Sequence, residues 1–275
     1  MIGLHLEGVS KLFSIPGGGT LDALQNISIE VEPGELIVII GPNGSGKSTL
    51  LNVIAGRLIP DAGKVIAREN GRNFDWVRSS ARRKARVAAY VRQDPRSGSV
   101  DDLTVLENIC LASLMGSASL FLKAISGRRR ATLLGGDYAP ALIEKADSRA
   151  DEISQGERQL LALEMAFIRK PAVVLLDEHT ASLDQNNAQL CIDRMLLLRR
   201  NIRSTVLMAT HDLTIPLQLQ CRLVVMREGI VYRDIGVNEV KSLRFQDLIN
   251  FINPKLSGAL VDHAQRGATG DDHVN

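Results

Sequence analysis

Residues 41–49 read Gly41-Pro42-Asn43-Gly44-Ser45-Gly46-Lys47-Ser48-Thr49, between the apolar run Leu36-Ile-Val-Ile-Ile40 and the segment Leu50-Leu-Asn-Val-Ile54. That order predicts a strand, a glycine loop and a helix. A glycine-rich turn lets successive backbone N–H groups converge on phosphate oxygens, and the helix behind it adds the positive end of its dipole. Lys47 supplies a mobile charge for the β- and γ-phosphates, and the Ser48 hydroxyl is placed to ligate Mg²⁺. The flanking strand and helix matter more than the letters, because they separate such a loop from an ordinary glycine turn. The stretch predicts binding of a nucleoside triphosphate.

The chain has 275 residues, enough for a substantial core in one large domain or two small ones. Hydrophobic residues at 45% and charged residues at 23% fit a soluble globular protein. A formal charge of +2 is too small to imply nucleic acid as a partner. Basic residues cluster at Arg78, Arg82, Arg83, Lys84 and Arg86 and again at Arg128-Arg129-Arg130. Such clusters read either as a solvated face or as contact with an acidic partner or lipid headgroups. Cys110, Cys191 and Cys221 lie far apart without metal-type spacing, which points to a reducing compartment and to thiols used as small apolar side chains. The N-terminal segment meets Glu7 too early for a signal peptide. The longest uncharged segment, Asn108–Leu122, has 15 residues and is too short to cross a bilayer. The expectation is a cytoplasmic protein whose membrane association comes through a partner.

Residues 1–35 predict short antiparallel strands: Ile2–Val9 alternates, Pro16-Gly17-Gly18-Gly19 turns, and Ile27–Val31 alternates again. The runs 36–40 and Val173–Leu176 are continuously apolar, as parallel strands buried on both faces should be. A third, Thr205–Ala209, ends at Thr210-His211-Asp212. Ligands in open α/β sheets gather at the carboxyl ends of such strands, so the loop, Asp177 and His211 are expected at one site. Between about 100 and 165 the pattern turns helical, with one helix from near Asp102 or Thr104 and another over Gly156–Ile168. A short strand near Val231 and an amphipathic helix near Phe245–Phe251 follow. Residues 254–275 read as a polar, loose tail.

The second chemical signal is Asp177-Glu178. A buried strand ending in Asp puts a carboxylate opposite the loop, where it holds Mg²⁺ directly or through water. The adjacent Glu178 can polarise the water that attacks the γ-phosphate.

With these motifs the chain resembles the ATP-binding subunits of ABC transporters from residue 2 to about 235. Gln93 in Val91-Arg-Gln-Asp-Pro95 is similar to the family's Q-loop, and Ile153-Ser154-Gln155-Gly156-Glu157-Arg158-Gln159 to its signature motif. Ser182-Leu183-Asp184 resembles the D-loop, and His211 the switch histidine. The resemblance implies an α/β P-loop NTPase core with a mainly parallel sheet, an N-terminal antiparallel β subdomain and a helical subdomain inserted near 100–165, all within residues 1–253. It implies ATP and Mg²⁺ as cofactors. Gln93 would touch the metal or the lytic water, and His211 would reach the γ-phosphate and position that water. Ser154, the Gly156 backbone and the altered Glu157 would face the nucleotide of a second copy in a head-to-tail dimer, with Asp184 across the junction. Phe13 stands where the family stacks an aromatic on adenine, and equally suits a core position. The other implied partners are membrane permease subunits and, through them, a solute-binding protein, with the chain peripheral at the inner face of the membrane.

The chain departs from the family pattern at three places. The signature usually reads Leu-Ser-Gly-Gly-Gln, and Gln155 and Glu157 replace its first Gly and final Gln. Gln155 is tolerable where its φ is negative. Glu157 sets a carboxylate near a triphosphate, and is expected to point toward Arg158 or the ribose and to slow hydrolysis or make it partner-dependent. His179 follows Glu178 where most members carry Pro. The string Asp177-Glu-His-Thr-Ala-Ser-Leu-Asp184 is similar to a branch of bacterial uptake systems assigned to tryptophan and tyrosine. Roughly 106 residues separate the loop from Ser154, which leaves no room for the coiled-coil insertion of relatives that work on DNA or ribosomes. A weakly hydrolysing regulatory module stays open as the alternative.

Overall fold

The computed structural model describes residues 2–69, 71–114 and 137–253. Its strands in chain order are β1 (Ile2–Ile15), β2 (Gly19–Val31), β3 (Leu36–Ile40), β4 (Ala62–Glu69), β5 (Arg72–Asp75), β6 (Ala88–Val91), β7 (Val173–Asp177), β8 (Thr205–Thr210), β9 (Arg222–Arg227) and β10 (Ile230–Ile235). They form a six-stranded sheet in the order β10-β9-β3-β8-β7-β6 and a four-stranded sheet in the order β2-β1-β4-β5. In the larger sheet every neighbouring pair is parallel except β10 with β9.

Both faces of the larger sheet's central strands β3, β7 and β8 are covered, which is why those runs are almost wholly apolar. Ile37 and Ile39 of β3 pack toward the helix Lys47–Ile54 and the smaller sheet. Leu36, Val38 and Ile40, alternating with them, pack with Leu163 and Phe167 of the helix Gln155–Phe167 and with Ile192, Met195 and Leu198 of the helix Gln185–Ile202. A third cluster gathers Val105 and Ile109 of the helix Val105–Leu114, Leu142 of the short helix Pro140–Glu144, and Leu160 and Leu161. It holds the described part of the helical region near 100–165; residues 115–136 and the expected tail 254–275 lie outside the described residues.

The N-terminal strands are longer than the alternation predicted. β1 and β2 form one hairpin whose register shifts three times between Leu6 and Leu12. Gly8 and Asn26 sit there at positive φ, and these irregularities break the period of two that the sequence would otherwise show. The helix Gln185–Ile202 was not legible in the pattern at all. Asp184 caps it through the Asn187 N–H, and its buried stripe is Cys191, Ile192, Met195 and Leu198. Its buried Arg194 pairs with Glu164 at 2.6 Å. The three cysteines are buried, in line with their expected apolar role.

Trp76, just past β5, fixes the far end of the loop helix. Its side chain is fully buried and its Nε1–H donates to the Ile54 carbonyl at 2.5 Å, while its own N–H donates to Val65 at 2.8 Å. The indole thus anchors the helix whose first residues are Lys47 and Ser48. Trp76→Phe keeps an aromatic ring but strands a buried carbonyl, and should destabilise the fold by about 1–3 kcal/mol. Denaturant melts followed by circular dichroism check this; an unchanged midpoint would remove the anchor.

Candidate functional site

The glycine loop leaves β3 in a conformation that only glycine permits at two points. A Cβ on Gly41 would sit 2.2 Å from the Met226 carbonyl oxygen, and one on Gly46, at φ +98°, would sit 2.4 Å from that of Ala23. Pro42, Asn43 and Gly44 form the exposed crest, and Ser45 is buried beneath it. Lys47 opens the helix and is only 4% exposed. Its Nζ donates to the carbonyls of Gly41 at 2.8 Å and Pro42 at 3.2 Å and lies 3.7 Å from Glu178 Oε1. Burial lowers the Lys47 pKa, and the Glu178 and Asp177 carboxylates oppose that shift. Ser48 and Thr49 occupy the next two helical positions.

Asp177 ends β7 beside the loop. The Ser48 hydroxyl donates to its Oδ1 at 2.9 Å, and the Tyr90 hydroxyl donates to its Oδ2 at 2.7 Å. Glu178 follows with φ +47°, left-handed for a residue with a side chain. Its N–H donates to the Ala209 carbonyl at 2.9 Å, tying it to β8. Its Oε2 lies 3.4 Å from Nδ1 of His211, an exposed residue one past the end of β8. The loop, Asp177, Glu178 and His211 therefore meet at the carboxyl ends of β3, β7 and β8.

A hydroxyl and a carboxylate oxygen this close form a hard donor pair. Mg²⁺ typically takes one or two carboxylates plus substrate phosphates and waters, not an all-protein cage. No group of three or more His, Cys, Asp or Glu side chains suited to a metal occurs among the described residues. Ser48 and Asp177 fit Mg²⁺ held together with a triphosphate. Gln93 lies exposed two residues past β6, the strand paired in parallel with β7.

The signature-like segment sits at the start of the helix Gln155–Phe167. Ser154 is its N-cap: its Oγ accepts from the Glu157 N–H at 3.3 Å, and the Glu157 carboxylate accepts from the Ser154 N–H at 2.8 Å. Glu157 thus closes a capping box, and points back at Ser154 instead of toward Arg158 or the ribose as expected. Arg158 turns the other way, to Ser99 and Asp101. Gln155 is helical, and its amide donates to Ser182 Oγ at 2.8 Å. A Cβ on Gly156 would come within 2.6 Å of the Asn187 side chain, which would have to shift to admit it. Asp184 Oδ1 accepts from the Asn187 N–H at 3.0 Å, and these hydrogen bonds hold its pKa below the usual carboxylate value. Phe13 is 36% exposed on the β1–β2 hairpin with Lys11 Nζ 5.8 Å from its ring centre, so a core role does not describe it.

Tyr90 and Arg57 were not singled out in the sequence. The Arg57 guanidinium lies 4.2 Å from the Tyr90 ring centre. An aromatic in a short strand three residues before Gln93 reads as packing, and only its polar tip distinguishes it.

The family model described as ABC transporter matches residues 24–181. A tyrosine transport ATP-binding protein of Clostridioides difficile is 32% identical, over 90% of this chain and 97% of that protein. A lipoprotein-releasing system ATP-binding protein, LolD, of Pseudomonas fluorescens is 34% identical, over 78% of this chain and 90% of that protein. Among solved structures, a dimeric post-hydrolysis state of an ATP-binding cassette bound to ADP and Pi superposes with a TM-score of 0.68 at 25% identity, over 85% of this chain and 98% of that one.

His179, beside Glu178, is 1% exposed with Nε2 unpartnered, and burial lowers its pKa from 6.5 to about 4. The unfolded chain therefore takes up the proton first as pH falls. The stability that neutral His179 permits is complete above its unfolded pKa and is lost as pH drops from about 6.5 toward 4, by up to about 3 kcal/mol. His179→Gln should flatten that part of the stability–pH profile; a melting profile as steep as the parent's would reject the assignment.

Proposed function

The chain belongs to the ABC transporter family and is an ATP-hydrolysing subunit of a membrane transporter, and from that premise we propose that it powers a bacterial importer of small solutes, with tyrosine and tryptophan the first to test. The observation that carries the hydrolytic part is Glu178, held between Lys47 at 3.7 Å and His211 at 3.4 Å. The similarity to a tyrosine transport ATP-binding protein over nearly the whole of both chains supports the solute class, as does the string from Asp177 to Asp184.

In this reading the Gly41–Thr49 loop cradles the triphosphate through backbone N–H groups, and Lys47 turns from the loop carbonyls to the β- and γ-phosphates. Ser48 and Asp177 would hold Mg²⁺, with Gln93 completing the set, and the ion when bound would neutralise charge on the β- and γ-phosphates. Glu178 accepts a proton from, or polarises, the attacking water, and His211 orients it. Phe13 meets the adenine. Ser154 Oγ accepts in the cap but keeps its O–H to donate, so it and the start of its helix suit the γ-phosphate of a second copy, with Asp184 across the junction.

A groove of about 600 Å³ lies between the core and the helical region. Its rim carries Arg57, Lys84, Arg86, Arg92 and Arg169 against a single acid, Asp94, among its lining residues. That charge suits an acidic cytoplasmic segment of a permease. Of the uncharged segment Asn108–Leu122, Leu111 and Ala112 line the groove, Asn108 is buried, and 115–122 lie outside the described residues. No helix among the described residues is long and apolar enough to cross a membrane. Attachment through permease subunits at the inner membrane face, with a solute-binding protein beyond them, completes the reading.

Mg²⁺-dependent ATP hydrolysis and mass by light scattering should separate the parent from Glu178→Gln. The variant is expected to lose turnover by about 10²-fold or more and to dimerise on ATP. Equal turnover in both would overturn the role of Glu178. Disrupting the gene should abolish ATP-dependent uptake of labelled tyrosine or tryptophan, and uptake at the parental rate would sink the solute assignment.

A further inference from the structure

Asp177 has two oxygens, and both are engaged from different sides. Ser48 takes Oδ1 from the loop helix at 2.9 Å, and Tyr90 takes Oδ2 from β6 at 2.7 Å. Tyr90 lies one residue before the end of β6, opposite Leu175 and so two residues short of Asp177 on β7, and its ring reaches along the strand direction to the carboxylate. The ring is itself held, because the Arg57 guanidinium stacks 4.2 Å from its centre. Arg57 comes from the turn after the loop helix, where its N–H donates to Asn52 at 2.9 Å. A phenol bonded to a carboxylate oxygen at that distance is the donor, so Tyr90 meets Oδ2 as a neutral O–H.

We propose that Tyr90 is a positioning residue for the metal: by occupying Oδ2 it leaves Asp177 one oxygen, Oδ1, toward Ser48, and so selects a monodentate, Mg²⁺-type arrangement over Ca²⁺. The proposal rests on the reading of Asp177 as a metal-holding carboxylate. Mg²⁺ demands near-octahedral geometry with few protein oxygens, whereas Ca²⁺ takes six to eight and readily uses both oxygens of a carboxylate. A carboxylate free to rotate serves either ion. One pinned at Oδ2 by a neutral donor, itself clamped by Arg57, serves the smaller. Groups that orient a metal ligand from behind typically alter metal affinity by about 10–100-fold when removed.

Tyr90→Phe in the full-length chain removes only the hydroxyl. Binding of a fluorescent ATP analogue, titrated with Mg²⁺ and separately with Ca²⁺, reads the site without turnover. The variant should need about 10-fold more Mg²⁺ for half-maximal metal-dependent binding. Its preference for Mg²⁺ over Ca²⁺ should narrow, with metal-free affinity unchanged and a melting midpoint lowered only by the loss of one hydrogen bond. Parental Mg²⁺ and Ca²⁺ titrations in the variant would overturn the proposal. So would a uniform loss of metal-free affinity and thermal stability, which marks a packing role alone. A parent whose nucleotide binding ignores both metals would instead overturn the reading of Asp177, and the role of Tyr90 with it.

Discussion

An ammonium group withdrawn from water must be compensated where it sits, and Lys47 imposes that condition on everything around it. Leaving such a charge buried and unpaired costs several kcal/mol. Here the compensation comes from the carbonyls of Gly41 and Pro42 and from the Glu178 carboxylate. The loop can turn two carbonyls onto Nζ because Gly41 and Gly46 pass close to the Met226 and Ala23 carbonyls. The carboxylate arrives because β7 runs parallel to β8 and stops in register, with Asp177 opposite Ala209. One charge thus couples the curvature of the loop to the termination of a strand some 130 residues away.

The departures at Gln155 and Glu157 have local explanations within the same chain. Glu157 supplies the reciprocal half of a capping box, which glutamine could also supply, so the acid is spent on helix geometry. Gln155 reaches Ser182, Gly156 leaves room for Asn187, and Asn187 in turn donates to Asp184. The signature-like segment and the D-loop-like segment are therefore one packed unit. A displacement of one carries the other, which is the mechanical property a junction between two copies needs.

The parts of this architecture that were legible are those where one physical demand acts alone. β3, β7 and β8 must be apolar on both faces, and their runs show it without interference. The hairpin of β1 and β2 shows in the sequence only as short strands because its register shifts erase the alternation. The helix Gln185–Ile202 was missed because Gln185, Asn186, Asn187, Arg199 and Arg200 bracket its stripe with polar ends. In the site, the loop and the acid pair were legible because phosphate and metal restrict residue type. The partner of Glu157 was overlooked, although Ser154 three residues before it at a predicted helix start is the capping-box spacing. Tyr90 was not legible, because its hydroxyl meets Asp177 across 87 residues of chain and its ring is an ordinary strand residue.

The backbone at Glu178 shows why two adjacent acids can serve one site. Consecutive residues of a strand point to opposite faces, so an extended Asp177-Glu178 pair would send one carboxylate to the loop and the other away from it. With φ at +47°, Glu178 leaves the strand conformation at the moment β7 ends, and both side chains come to the loop helix: Asp177 to Ser48, Glu178 to Lys47. The left-handed conformation costs on the order of 1–3 kcal/mol in a residue with a side chain. It persists because its surroundings over-determine it. The Glu178 N–H is held by Ala209, its carbonyl accepts from the Ala181 N–H at 3.0 Å, and its carboxylate lies between Lys47 and His211. Glycine would relieve the strain and abolish the carboxylate. The strain is therefore intrinsic to presenting two acids to the loop helix from one strand end.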